Sequence, residues 1–369
     1  MFKALRRLGA FGQAKPEPRP WSDVLAACRA SIWAPADQNT LAELDDELGA
    51  LLGAKALNAR MTPIARLYRS MIEWRRSGVF HAPFNGMSEA RLQFWEIEWH
   101  CPVLGYQRAF VQAMFEARPD TNLAQKNKVV FEHMPSEVPD VRETRDLDID
   151  IMLYPGAERT IIAFSGLNGN CLGIGWTMFY RAVACPARAN LVVLKDVQRM
   201  LYLKGLASVG DFEATKARLR DLVDEYSALG EVIFLGGSGG TFGALAFGSG
   251  IGKVRRVVAL AGPTSLEIGG EHEDKQVYRR IFADMQSGLV PHKDIAALVN
   301  GSGLERVDFF VSGGHEFDMA QMAHLKDNTK VVVPYIYDCE HHSMTDMCIA
   351  DGRLISVVKG EKSRPVDLR

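Results

Sequence analysis

The sequence lacks the features that mark membrane-spanning, nucleic-acid-binding and disulfide-stabilised proteins. No uninterrupted apolar run approaches the roughly 18 residues that suggest a membrane span, so no integral span is expected. The formal net charge is only −2, which leaves no overall field to attract nucleic acid. The six cysteines include no CxxC pair. Buried free thiols in a reducing cytoplasm are therefore expected.

Repeats and low-complexity tracts are also absent, whereas apolar residues are plentiful. Hydrophobic residues make up 47% of the 369-residue chain, enough to bury a large core. The pattern along the chain predicts three parts. Residues 1–20 form an N-terminal segment with a Pro-rich linker, residues 21–127 form a helical region, and residues 128–369 form an α/β domain.

Hydrophobic periodicity supports this division. In the second part, apolar residues recur at spacings of three and four, with Asn39 and Thr40 as candidate N-caps and a break at Pro102. From residue 128 the segments KVVFEHM, DLDIDIMLY and RTIIAFSG are short and strand-like. The strict alternation of DLDIDIMLY predicts an antiparallel strand near a sheet edge. Strands and helices then alternate, which predicts a mostly parallel sheet with helices on both faces.

One glycine-rich segment carries the main chemical signal. The buried strand EVIFLGG runs into Ser238, and a helix starts at the glycines that come after it, which gives a G-x-S-x-G pattern in a strand–turn–helix context. The glycines two positions before and after the serine, Gly236 and Gly240, leave room for a tight turn. Such a turn exposes the serine hydroxyl and aims the N–H of Gly239 at any oxyanion formed there. A phosphate-binding loop and a purely structural turn are the alternatives.

The chain downstream of Ser238 resembles the α/β-hydrolase superfamily, in which the order is nucleophile, acid, histidine. The strand VDFFVSG leads into Glu316 and Asp318, and the strand VVVPYIYD leads into His341 and His342. The resemblance covers residues 128–369 and implies one acid and one histidine from these pairs. Counting from the strand ends favours Glu316 and His341. Asp is the commoner acid in the family, and Asp318 could also cap a helix.

The resemblance also implies a second oxyanion donor in the loop after RTIIAFSG. Leu167 is favoured by position, with Gly166 and Asn168 as neighbours. A metal site is a competing hypothesis for the two later loops. These loops gather six side chains of metal-ligating type, but without an HExxH spacing: His315, Glu316, Asp318, His341, His342 and Asp346.

The expected function is that of a serine hydrolase acting on an ester through an acyl-enzyme intermediate, without a cofactor. The substrate is expected to be a small-molecule, glycan or lipid ester. An acyltransferase, a thioesterase and a non-catalytic binding protein that kept the fold are the alternatives. The charged segment within residues 264–305 is predicted to be helical and is a candidate lid over the site.

Overall fold

The computed structural model divides the chain into two compact units. One unit ends at Arg118 and the other begins at Pro119. The structure describes residues 19–33, 37–55, 57–100, 104–135, 142–268, 276–286 and 292–361. Residues 1–18, which hold most of the predicted N-terminal segment, lie outside these ranges.

The described part of the first unit is helical, as predicted. One helix ends at His100 and the next begins at Leu104, and the predicted break at Pro102 lies outside the described residues. Asp37 caps the second helix by accepting the Thr40 N–H at 2.8 Å. The expectation that Asn39 or Thr40 is the cap is therefore wrong, because the helix begins before both of them. The helices are α1 (Trp21–Trp33), α2 (Gln38–Gly53), α3 (Met61–Ser77), α4 (Met87–His100) and α5 (Leu104–Ala117).

The second unit contains an eight-stranded sheet in the order β1-β2-β4-β3-β5-β6-β7-β8. Strands β3 to β8 are parallel to one another, and β2 pairs antiparallel with both β1 and β4. The antiparallel strand near the edge is thus confirmed. The strands are β1 (Arg142–Arg145), β2 (Ile149–Leu153), β3 (Arg159–Phe164), β4 (Ala189–Leu194), β5 (Glu231–Gly237), β6 (Arg256–Leu260), β7 (Arg306–Ser312) and β8 (Val332–Tyr337).

Both faces of the central strands are buried. Ile161 and Ile162 are consecutive in β3 and therefore point to opposite faces, yet each is fully buried. The face with Ile162 packs with residues of α8, α9 and α12. The helices of this unit are α6 (Asn122–Glu132), α7 (Trp176–Phe179), α8 (Phe212–Ser227), α9 (Gly239–Gly250), α10 (Gln276–Gln286), α11 (Ala296–Asn300), α12 (Glu316–Asn328), α13 (Thr345–Ala350) and α14 (Arg353–Val358), with a π-helical turn (Tyr180–Ala184) after α7.

Two secondary-structure predictions are wrong. The segment KVVFEHM is not a strand, because residues 128–132 belong to helix α6. Lys126 and Val130 of this helix are buried at helical spacing, and the helix packs on α13. Burial of this face outweighs the strand propensity of the two valines. The predicted last helix over MTDMCIADGRLISVVKG is two helices, because Gly352 adopts a left-handed conformation with φ 73° between them.

Two further features of the described residues concern membrane spans and thiols. No helix among them is both long and apolar enough to cross a membrane. Cys28, Cys171, Cys185 and Cys348 are buried free thiols, and Cys339 is a free thiol that is half-buried. Within the candidate lid, α10 confirms the helical prediction, while residues 269–275 and 287–291 lie outside the described ranges.

Candidate active site

Ser238 lies in the turn between β5 and α9 in a strained backbone conformation. Its φ of 53° and ψ of −125° are unfavourable for a residue with a Cβ atom. Backbone hydrogen bonds hold the turn on both sides. The Ser238 N–H donates to Leu260 O at 2.9 Å, and the Thr241 N–H donates to Ser238 O at 2.9 Å. The surrounding structure thus fixes a conformation that the serine would not adopt alone.

The glycines around the serine are required by close backbone contacts. A Cβ atom on Gly240 would lie 2.1 Å from the carbonyl oxygen of Phe164 in β3. A Cβ atom on Gly236 would lie 2.4 Å from the carbonyl oxygen of Gly240. Both distances are far below van der Waals contact, and the neighbouring atoms belong to the backbone, which cannot rotate out of the way as a side chain can. The expected need for small residues two positions before and after Ser238 is therefore confirmed.

His342 connects Ser238 to Asp318 by two short hydrogen bonds. Its Nε2 lies 2.8 Å from Ser238 Oγ, and its Nδ1 lies 2.6 Å from Asp318 Oδ2. An ionised carboxylate only accepts hydrogen bonds, so Nδ1 carries the proton and Nε2 is free to accept the serine hydroxyl proton. The other oxygen of Asp318 accepts the Gly262 N–H at 3.1 Å. This is the tautomer that a serine nucleophile needs in its base.

The residues that the structure places beside Ser238 are not His341 and Glu316, which the counts from the strand ends favoured. The structure leaves both of these side chains exposed and brings His342 and the fully buried Asp318 to the serine. Glu316 is the first residue of α12 and is exposed, whereas Asp318, two residues on, is buried. Asp318 does not cap α12, because His315 occupies the N-cap position.

The loop after β3 lies against the nucleophile turn, as predicted. A Cβ atom on Gly166 would lie 3.3 Å from Ser238 Cβ, and one on Gly239 would lie 3.1 Å from Leu167 Cγ. Within the described residues, the N–H groups of Leu167 and Gly239 donate to no protein acceptor. Asn168 is exposed. The donors are thus available to an oxyanion.

Side chains around Gly239 also bear on the phosphate-loop hypothesis. The atoms nearest to a Cβ placed on this glycine belong to Leu201 and Leu167, at 2.8 and 3.1 Å. These apolar side chains offer a phosphate neither charge nor hydrogen bonds. These two side chains therefore add nothing to the binding of a phosphate at the helix start.

Two residues that the sequence did not single out hold the loop that carries His342. The buried ammonium of Lys126 in α6 donates to Ser343 O at 2.6 Å, and Ser343 Oγ donates to Leu172 O. Burial lowers the pKa of Lys126, and Asp346 at 3.8 Å offsets part of this effect. A lysine on the buried face of a helix is the only sequence signal for this anchor, and it is visible only once the segment is known to be helical.

The structure brings together three of the six residues that were candidates for a metal site. His315, Asp318 and His342 place possible ligand atoms within 4.8 Å of one another. One of these contacts, 2.6 Å between His342 Nδ1 and Asp318 Oδ2, is the hydrogen bond described above. A cation at this place would have to replace its proton. Glu316 and His341 are exposed outside this cluster, and Asp346 faces Lys126.

The strand order, the antiparallel second strand and the strained serine between β5 and α9 define an α/β-hydrolase-type fold. No protein-family model matches the sequence, and no curated protein is significantly similar to it.

Several solved structures are similar to the chain. One is 2,6-dihydroxy-pseudo-oxynicotine hydrolase, with 11% identity over 95% of this chain and 96% of that chain and a TM-score of 0.45. Another is a hyperthermophilic esterase from the archaeon Pyrobaculum calidifontis, with 14% identity over 70% of this chain and 98% of that chain and a TM-score of 0.41. A third is acetyl xylan esterase 1 from Thermoanaerobacterium sp. JW/SL YS485, with 15% identity over 64% and 93% and a TM-score of 0.41. Likeness at this level assigns neither an activity nor a substrate.

Proposed function

We propose that the protein is a serine hydrolase that cleaves carboxylic esters through an acyl-enzyme formed on Ser238. The single observation that carries this proposal is the hydrogen-bond relay from Ser238 through His342 to Asp318, with contacts of 2.8 and 2.6 Å. A serine hydroxyl is a weak nucleophile at neutral pH, and a neighbouring imidazole oriented by a carboxylate is a general way to activate it.

In the first half-reaction, His342 Nε2 removes the hydroxyl proton while Ser238 Oγ bonds to the ester carbonyl carbon. The carbonyl π electrons move to its oxygen, and the N–H groups of Gly239 and Leu167 stabilise that charge. Asp318 stabilises the imidazolium that forms. His342 then gives the proton to the leaving alkoxide as the carbon–oxygen bond breaks. An alcohol departs and the acyl group remains on Ser238.

In the second half-reaction, water takes the place of the alcohol. His342 removes a proton from the water as its oxygen bonds to the acyl carbon. Collapse of the tetrahedral intermediate breaks the bond to Ser238 Oγ, which recovers its proton from His342. The products of this step are a carboxylic acid and the original enzyme, so the two half-reactions together consume only the ester and water.

The strained serine argues against a non-catalytic binding protein. A residue with a Cβ atom in this conformation costs about 1–3 kcal/mol and persists mainly at functional sites. Thioesters and acyl transfer to another alcohol use the same relay and differ only in the leaving group or the acceptor. Hydrolysis is proposed because water needs no dedicated acceptor site.

Hydrolysis of p-nitrophenyl acetate and p-nitrophenyl butyrate by purified full-length protein tests the proposal. Wild type should turn over both esters, and Ser238→Ala should lose about 10⁴-fold in kcat. Ser249→Ala is a matched control, because Ser249 lies at the far end of the same helix α9. Activity of Ser238→Ala equal to that of the control would refute the nucleophile assignment.

A further inference from the structure

The chain after β4 contains a strained stretch that the proposed mechanism does not use. Arg199, Leu201 and Tyr202 have φ values of 55°, 55° and 63°, in the left-handed region that is unfavourable for residues with a Cβ atom. A buried carboxylate holds this stretch, because Asp196 Oδ2 accepts the N–H groups of Met200 and Tyr202 at 2.7 and 3.0 Å. Backbone strain of this kind persists mainly where a functional geometry requires it.

The strained stretch contacts both segments that supply oxyanion donors. A Cβ atom on Gly239 would lie 2.8 Å from Leu201 Cδ2, and one on Gly243 would lie 2.7 Å from Tyr202 Cδ2. These two glycines are four positions apart and so lie on one face of α9. The ring of Tyr202 also packs against Phe164, the last residue of β3, with centroids 5.2 Å apart. Tyr202 therefore touches the end of β3 as well as the first turns of α9.

The hydroxyl of Tyr202 is buried where the loop that carries Leu167 leaves β3. It donates to Leu194 O at 2.7 Å, and the O and Oγ atoms of Ser165 lie 3.2 and 3.1 Å from it. A phenol has one proton, and the shortest contact takes it, so the Ser165 hydroxyl donates to Tyr202. Leu194 O also accepts the Ser165 N–H at 3.0 Å. Burial raises the pKa of Tyr202, so the phenol keeps its proton as the pH rises.

We propose that Tyr202 is a positioning residue of the reaction, which fixes the loop after β3 so that the Leu167 N–H meets the oxyanion. This inference rests on the proposed function. Leu167 lies two residues beyond Ser165, the residue that Tyr202 and Leu194 hold. A donor that is fixed beforehand stabilises charge on the carbonyl oxygen as that charge develops. The ester itself carries little charge there, so the effect falls on kcat and leaves KM unchanged.

The test is Tyr202→Phe, which removes the hydroxyl and keeps the ring that packs against Phe164. In hydrolysis of p-nitrophenyl butyrate by the full-length protein, kcat should fall about tenfold, with KM within about twofold of wild type. The second readout is inhibition by an alkyl trifluoromethyl ketone with the chain length of butyrate. Its tetrahedral adduct on Ser238 carries an oxyanion, so its inhibition constant should also rise about tenfold.

Two further variants complete the comparison. Tyr226→Phe is the matched control, because it removes a hydroxyl from a buried tyrosine of α8 in the same hydrophobic core. It should leave kcat and the inhibition constant within about twofold of wild type. Ser165→Ala removes the hydroxyl that donates to Tyr202 and keeps the tyrosine. It should lower kcat and raise the inhibition constant by the same factor, about threefold, and it replaces Tyr202→Phe in the test if that variant does not fold.

Wild-type kcat in the variant that is tested would overturn the inference. A lower kcat with an unchanged inhibition constant would also overturn it, because the loss would then not arise at the oxyanion. Equal losses in Tyr202→Phe and Tyr226→Phe would reduce Tyr202 to a part of the core and overturn it as well. Absence of activity in the wild-type protein, by contrast, would refute the proposed function itself.

Discussion

The Nε2 atom of His342 lies 2.8 Å from the hydroxyl oxygen of Ser238, although 104 residues separate them in the chain. Parallel strands account for this proximity, because the segments after β5, β7 and β8 emerge at the same edge of the sheet. Gly262 comes after β6, the strand that lies between β5 and β7 in the sheet. A Cβ atom at this position would lie 2.0 Å from Ser238 O, and its N–H holds the acid.

The first prediction separates the members of each acid and histidine pair. Asp318→Asn and His342→Gln should each lower kcat for ester hydrolysis by about 10⁴-fold, because either change removes a charge or a proton acceptor from the relay. Glu316→Gln and His341→Gln serve as matched controls at exposed positions one or two residues away, and should stay within about twofold of wild type. A severe loss in a control, or mild effects in all four, would show that the relay from Ser238 to Asp318 is not the one that acts.

The second prediction concerns the packing of the nucleophile turn. Gly240→Val should lower the free energy of unfolding by about 3 kcal/mol and should also abolish ester hydrolysis, because the new side chain collides with the backbone of β3. Gly252→Val is the control, since a Cβ atom at Gly252 has no neighbour within 4 Å. Urea unfolding of both variants measures the difference. Equal stability of the two variants would contradict the close approach of α9 to β3.

The third prediction concerns the anchor of the histidine loop. Lys126→Met should lower kcat about tenfold, because the carbonyl of Ser343, next to His342, loses its charged donor. Lys128→Met, on the same helix α6, is the matched control, since Lys128 forms an ion pair with Glu132 of that helix. Equal kcat in the two variants would show that Lys126 does not position His342.

The fourth prediction rests on the lowered pKa of Lys126. Its pKa in the folded protein lies below the value of 10.5 expected in the unfolded chain, so between these two pH values the unfolded state binds more protons. The contribution of Lys126 to stability therefore rises with pH in that window. Buried thiols with raised pKa values, such as Cys28 and Cys185, act in the opposite direction over the same range, so the Lys126 effect is measured as a difference between two proteins. In urea unfolding up to about pH 10.5, the free energy of unfolding of wild type minus that of Lys126→Met should increase with pH. An identical pH dependence in both proteins would contradict the burial of a charged Lys126.

The sequence predicted the sheet, the chain order of the site and the two pairs that contain the neighbours of the serine, but not which member of each pair lies beside it. The strand–turn–helix around Ser238 is encoded locally, by a buried strand and glycines at fixed spacing, so it was visible in the sequence. The choice between His341 and His342 is not encoded locally. It depends on the hydrogen bonds that hold the loop after β8. These bonds join Ser343 to Lys126 and to Leu172, which lie 217 and 171 residues from Ser343 in the chain.

The helix α6 illustrates the same limit. Its valines favour a strand when only the local sequence is considered, and the burial that makes the segment helical comes from contact with α13, far along the chain. The lysine that anchors the histidine loop lies on this helix. A wrong prediction of local structure therefore concealed a residue of the site.

Covalent labelling by a fluorophosphonate probe, with the modified peptide identified by mass spectrometry, tests the central claim most directly. The account predicts a single adduct on Ser238 in wild type, no adduct in Ser238→Ala, and labelling slowed by orders of magnitude in His342→Gln. The His341→Gln variant should be labelled at the wild-type rate. An unlabelled wild type, an adduct on another residue, or equal labelling rates in the two histidine variants would contradict it.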